Sequence, residues 1–333
     1  MIRLALVAVV AFAAPQAVSG ASDEAAVAVG RSLTQWSSTE SIEALARQGS
    51  AAFQAGIAKA GGPAAMSRAV SDQIGPEEQV LDEFAITLNG VTAYQRLARY
   101  KTAATALTSA NWDAAGVVQG AGIRPAPPPL GDPDRSAPQT VLALPFAKPR
   151  EGDWLTYWGG RNIGRNYHVT APDQAYAYDF LVVRNAKTYE GPKDRNTSYF
   201  CWGQPVLAPA AGTVVAVVDG LDDNVPGTMD ATQPAGNHII IQHGPGEYSL
   251  IGHLRSRSTL VRARQTVKAG ERIGACGNSG NSSEPHVHYH LQTTGSFGGG
   301  AVGLPAKFRD ILVDGVRVTN AEPLRGQTVA PVR

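Results

Sequence analysis

The segment Pro285-His286-Val287-His288-Tyr289-His290 places three imidazoles at alternate positions. On a β-strand, alternate side chains share a face, so these three rings would point the same way. Imidazoles fill an apolar core poorly, but a neutral imidazole is a favoured ligand for a divalent metal such as zinc. The bland alternative is the solvated polar face of an edge strand. All seven histidines, at 168, 238, 243, 253, 286, 288 and 290, lie in the second half of the 333-residue chain. A catalytic metal site uses three protein ligands and leaves a fourth position for water.

The elements that would position such a site are short and β-like. From Trp154 onward, runs at 176–183, 205–207, 212–219, 238–242, 248–254 and 286–292 are separated by Gly-rich turns, with no long helical pattern. Such a pattern predicts a mainly β domain, a β-sandwich or partly open barrel. Upstream the texture differs. Ile42, Leu45, Ala46, Phe53 and Ile57 recur at helical spacing, which predicts one helix over 41–60 stopped by Gly61-Gly62-Pro63, then a short helix over 64–74. Strand-like runs follow at 91–100, 104–112 and 116–123, with Asp113-Ala114-Ala115-Gly116 as a hairpin turn. Helices followed by an antiparallel meander make a small α+β domain. This part has no histidine and no catalytic constellation, which leaves binding, positioning, autoinhibition or a spacer role.

Between the two halves, prolines at 125, 127, 128, 129, 133, 138, 145 and 149 remove backbone donors and favour an extended linker. The expected organisation is therefore a leader over 1–21, an accessory domain over 22–124, a linker over 125–150, the histidine-bearing domain over 151–325 and a tail over 326–333.

Composition narrows the class. A hydrophobic fraction of 43% with 17% charged residues describes a globular chain, and a net charge of +1 argues against a nucleic-acid binder with a broad basic face. Met1-Ile2-Arg3, the apolar run over 4–14 and the small residues at 17–21 have the order of a secretory signal peptide. The run is too short to span a bilayer, and no later segment approaches the roughly 18 apolar residues that a span needs. An exported, periplasmic or extracellular protein is expected. In that compartment Cys201 and Cys276, the only two cysteines, can form a disulfide; two buried thiols are the alternative.

Read together, "NYHVTAPDQAYAYDF" (166–180), "PVLAPAAGTVV" (205–215), "HIIIQHGPGEYSLIGHL" (238–254) and "VKAGERIGACGNSGNSSEPHVHYH" (267–290) resemble, in order and in turn residues, the lysostaphin-like (LytM-type) zinc endopeptidases, which are peptidoglycan hydrolases. That resemblance implies that His168, Asp179 and His288 hold Zn2+, and that His286 and His253 form the catalytic pair. Two neutral imidazoles and a carboxylate leave such a centre at net +1, so the metal can polarise a carbonyl and bring the pKa of its water towards about 7. His286 would act as general base, and His253 would stabilise the oxyanion or protonate the leaving amine. The substrate implied is the peptide part of the cell wall. A non-catalytic wall-binding or regulatory module of the same fold is the alternative.

One departure stands out. The family's first His and Asp are separated by three residues, whereas ten separate His168 from Asp179, and Asp173 is nearer. Asp179 is preferred because "AYAYDFLVV" reads as a strand, while Asp173 follows Pro172 in a loop. His290 is expected to hydrogen-bond a ligand, to contact substrate or to lie on the surface; His238 and His243 read as structural. The segment 181–204 is expected to wall one side of a groove or to be a surface loop. The N-terminal part, closing on "GVVQGAGIRP", is similar in pattern to the cone-shaped cystatin-like or nuclear-transport-factor-like domains that precede some exported hydrolases.

Overall fold

In a computed structural model, which describes residues 23–332 apart from 103 and 134–137, the chain divides between Pro128 and Pro129 into two units. The leader expected over 1–21 lies outside the described residues. Among the described residues, no helix is long and apolar enough to cross a membrane.

The first unit packs four helices, α1 (Glu24–Leu33), α2 (Thr39–Arg47), α3 (Ala51–Lys59) and α4 (Pro63–Gln73), with one antiparallel meander. Its strands are β1 (Glu77–Leu88), β2 (Val91–Tyr100), β3 (Thr105–Asp113) and β4 (Val118–Pro125), in that order. Asp23, Ser38 and Ser50 cap the first three helices by accepting from the amides of Ala26, Ser41 and Phe53. The helix expected over 41–60 is two helices. Ser50 starts the second, and the break is fixed by β4: the Val118 amide donates to the Gln48 carbonyl and the Ser50 amide to the Val118 carbonyl, both at 2.8 Å. The structure also adds α1 and β1, which the sequence reading missed. The first residues of β1 are exposed and charged, which hides the alternation. Glu83 of β1 nevertheless matters to the unit. Its carboxylate accepts from Arg31, Arg96 and the Tyr94 hydroxyl. Burial alone would raise its pKa, but the Arg31, Tyr94 and Arg96 hydrogen bonds outweigh that and hold it at about 2.

The second unit is mainly β, as expected, and its sheet is open rather than a closed barrel. Its strands are β5 (Asp153–Trp158), β6 (Tyr178–Val183), β7 (Pro205–Leu207), β8 (Gly212–Val218), β9 (Asn237–Gly244), β10 (Glu247–Leu254), β11 (Thr266–Val267), β12 (Arg272–Ala275), β13 (Val287–Gln292), β14 (Gly303–Leu304), β15 (Ile311–Val313), β16 (Val316–Val318) and β17 (Thr328–Pro331). The large sheet runs β11-β8-β9-β10-β13-β6-β5-β17-β15-β16, with β14 beside β13, and β7 and β12 form a separate pair. β6 and β13 lie side by side in the sheet and are buried along their whole length, so they offer a rigid floor for a site.

The boundaries of this unit differ from the sequence reading. Within the proline-rich stretch read as a linker, Leu142, Leu144 and Phe146 are buried in the second unit's core. The Phe146 ring stacks on Trp154 at 3.9 Å, and the Trp154 indole donates to the Ala147 carbonyl. Proline density masked a Leu-x-Leu-x-Phe alternation. The residues read as a tail contain β17, which pairs with both β5 and β15.

Candidate metal centre

The register of the sheet builds the site. His288 on β13 lies directly opposite Asp179 on β6, and opposite Gly252 on β10 on its other side. His253 follows Gly252 at a bulge between Ile251 and Leu254, with φ of 57°. A residue other than glycine in this left-handed region is held against a strain of roughly 1–3 kcal/mol. The restraints are visible: the His253 amide donates to the Ala235 carbonyl, and its own carbonyl accepts from the Gly277 amide. The bulge turns the side chain towards His286, whose ring centroid is 4.6 Å away. His168 arrives from a 3-10 turn, Tyr167–Thr170, capped by the Asn166 side chain.

One donor atom each from His168, Asp179 and His288 lies within 4.8 Å of the other two, and all three residues are buried. His288 Nδ1 is 2.8 Å from Asp179 Oδ1, and His168 Nε2 is 3.8 Å from Asp179 Oδ2. His286 Nε2 stands 3.7 Å from Asp179 Oδ1. Asp173, the carboxylate nearer in sequence, is outside this group.

Proton positions test whether these residues suit a metal. Asn166 Nδ2 donates to the carbonyls of Gly160 and Ala177, so its Oδ1 must be the acceptor for His168 Nδ1–H at 2.8 Å. His168 Nε2 is therefore bare and faces a carboxylate oxygen. His286 Nδ1 lies 2.9 Å from the Glu284 carbonyl, and His253 Nδ1 lies 2.8 Å from the Ser279 carbonyl. Carbonyls only accept, so both rings donate outward from Nδ1 and keep Nε2 bare. A carboxylate faced by proton-free nitrogens is short of positive charge, and a cation supplies it. The donor set fits a metal ion.

The electrostatics agree. Burial, reinforced by the neighbouring imidazoles, holds His168 and His253 well below the usual histidine pKa. Burial takes His288 down to about 4 and pushes Asp179 up to about 6. The rings are neutral at pH 7, so the close His288–Asp179 contact is not an ion pair, and the imidazoles are in the form that binds metals.

The loop whose carbonyls anchor His253 and His286 is tied down from one side. Cys201 and Cys276 form a disulfide with a Cα separation of 6.0 Å. Within the segment 181–204, Thr188 donates to the Glu284 carboxylate and Asn196 accepts from Asn278 Nδ2. That segment braces the 278–284 loop instead of hanging free. His243 bridges the Ala211 carbonyl and the Ser249 hydroxyl, and His238 contacts the Gly236 carbonyl; neither belongs to the metal-binding group. His290 is buried against His288. The sequence reading missed Asn166, whose signal was an Asx residue two positions before a candidate ligand.

Residues 198–298 match the family model of Peptidase family M23. A Haemophilus influenzae protein named as an uncharacterized metalloprotease is 39% identical over 93 residues, 28% of this chain and 17% of its own length. Peptidoglycan DD-endopeptidase ShyA of Vibrio cholerae is 37% identical over 94 residues, 28% of this chain and 18% of its own. Murein hydrolase activator EnvC of Escherichia coli is 30% identical over 95 residues, 28% of this chain and 21% of its own. The matched stretch thus spans about a fifth of these relatives' length. The family match over 198–298 includes His253, His286 and His288, while His168 and Asp179 precede it and join the site through the sheet register and the 3-10 turn. The second unit carries a Peptidase M23 domain.

Proposed function

We propose that the second unit is a zinc-dependent endopeptidase that hydrolyses peptide bonds in bacterial cell-wall peptidoglycan. In this reading His168, Asp179 and His288 hold the metal, and His286 and His253 act on the substrate. The observation that carries it is the approach of ring nitrogens of the buried His168 and His288, and of the partly buried His286, to the single Asp179 carboxylate. Nitrogen and oxygen donors in a set of three suit zinc in its catalytic form, which keeps a fourth position for water.

Zinc at such a centre supplies a Lewis acid that polarises a carbonyl and acidifies water. His286 is anchored through Nδ1 to the Glu284 carbonyl, so Nε2 is the atom that accepts the proton of the attacking water. His253, anchored to the Ser279 carbonyl, also presents a bare Nε2. Once protonated, it donates to the oxyanion or to the departing amine. The substrate class is supported by the name of the Vibrio cholerae relative, and the leader-like order of residues 1–21 supports export to the wall. The first unit, which lacks histidine, would serve as an accessory domain for binding or positioning.

A second reading, a regulatory module without turnover, is favoured by the name of the Escherichia coli relative. Calorimetric titration of the metal-free full chain with zinc, followed by incubation with purified peptidoglycan or denatured protein, separates the readings. The proposal expects one equivalent of zinc, none with His288→Ala, and peptide release from peptidoglycan. Zinc binding without release would favour the regulatory module, and cleavage of the denatured protein alone would move the substrate outside the wall.

A further inference from the structure

Behind His288 runs a line of buried polar groups that ends on two backbone carbonyls. Gln292 Nε2 donates to the carbonyls of Thr294 at 2.8 Å and Ser296 at 3.1 Å. Because carbonyls cannot donate, the amide cannot be turned round without losing both bonds, and Oε1 must point the other way. It faces His290 Nε2 at 2.9 Å, so that nitrogen carries the proton. His290 Nδ1 is then bare and faces His288 Nε2 at 2.9 Å, so the His288 proton sits on Nε2. What remains is a bare His288 Nδ1 that stands 2.8 Å from Asp179 Oδ1.

The opposite tautomer of His288 would be the comfortable one for a metal-free site, because Nδ1–H would hydrogen-bond Asp179. It would also remove the ligand atom from use. Reversing His288 reverses His290, and a bare His290 Nε2 would then face the fixed Gln292 oxygen. With His290 and Gln292 both buried, no solvent relieves that clash of lone pairs.

We propose that His290 and Gln292 are positioning residues that lock His288 in its Nε2–H form, keeping Nδ1 free for the metal and so raising metal affinity. This rests on the reading of His168, Asp179 and His288 as the ligand set. Neither residue touches substrate; both act through His288.

The test uses the metal-free full chain, with ring-nitrogen NMR to read the His288 tautomer and zinc competition against a chromophoric chelator to read affinity. In the unsubstituted protein His288 should show the Nε2–H pattern. His290→Leu should populate the Nδ1–H form and weaken zinc binding about 10–100-fold, the usual effect of losing a group that orients a ligand. His290→Gln, which offers an acceptor and a donor from one amide, should restore both readouts to near the starting values. If His290→Leu does not fold, Gln292→Met, which removes the far anchor, should shift the tautomer in the same direction. An unchanged tautomer and zinc affinity within about twofold in whichever of these variants folds overturns the lock. An unsubstituted protein that binds no zinc overturns the ligand reading instead.

Discussion

His253 and His286 face each other with ring centroids 4.6 Å apart, and each is anchored through Nδ1 to a carbonyl of the loop between β12 and β13, Ser279 for one and Glu284 for the other. Both anchors hold the outer nitrogen, so the inner nitrogens are the bare ones. His286 Nε2 stands 3.7 Å from Asp179 Oδ1, and neither ring belongs to the group of His168, Asp179 and His288. In the proposed reading, that arrangement separates proton handling from metal holding.

Replacing His286 by Ala should therefore leave one equivalent of metal in place while lowering turnover about 10²–10⁴-fold, the usual contribution of a positioned acid or base. His253→Ala should behave alike. Elemental analysis of the purified variants, set beside rates of peptide release, checks both halves of the expectation.

Asp179→Ala and His288→Ala should lose the metal, because each removes one of three converging donors. Asp173→Ala should keep it. Equal metal loss in the Asp173 variant would mean that the carboxylate was assigned to the wrong residue.

The disulfide closes a 75-residue separation and ties the 181–204 segment to the residue just before the 278–284 loop. Replacing both cysteines by Ser should cost about 2–4 kcal/mol in denaturant unfolding of the second unit. Unfolding midpoints unchanged by reduction would show that the Thr188 and Asn196 contacts suffice.

In the first unit, Glu83 titrates at about 2 when folded, against an ordinary value of 4.5. A depressed carboxylate stabilises the fold above its unfolded pKa, and that contribution disappears as pH falls through the folded value. Solvent screening at the exposed Arg31 end keeps the contribution at about 1–2 kcal/mol. Glu83→Gln should thus be less stable than the parent at pH 7, with the gap closing between pH 4.5 and 2. Chemical denaturation at both ends of that window measures it, and a constant gap would refute the assignment.

What the sequence disclosed followed the reach of each signal. The alternation of His286, His288 and His290 is a local period of two, so their strand was readable directly. Asp179 was readable through the apolar run after it, although its meeting with His288 depends on β6 and β13 being neighbours across 109 residues. The break at residues 48–50 was invisible because Val118 makes it. Likewise, the hydrogen bonds that leave His168 Nε2 bare depend on how Asn166 is held by Gly160 and Ala177, which no spacing rule reveals.

The proline-rich stretch shows the same limit, because eight prolines outweighed three buried apolar residues in the reading. Phe146 packs on Trp154 and Phe180 within the second unit. Phe146→Ala should destabilise that unit by about 3–5 kcal/mol, whereas a residue in a true linker would tolerate the change. Thermal unfolding of the full chain reads the difference.

The central claim is metal-dependent cleavage of wall peptides, and the most direct measurement is mass spectrometry of fragments released from purified peptidoglycan by the full chain, with and without a zinc chelator. The account predicts soluble fragments with new amino termini, absent when the chelator is present and restored by added zinc. Fragments lacking new amino termini, or release indifferent to the chelator, would contradict it.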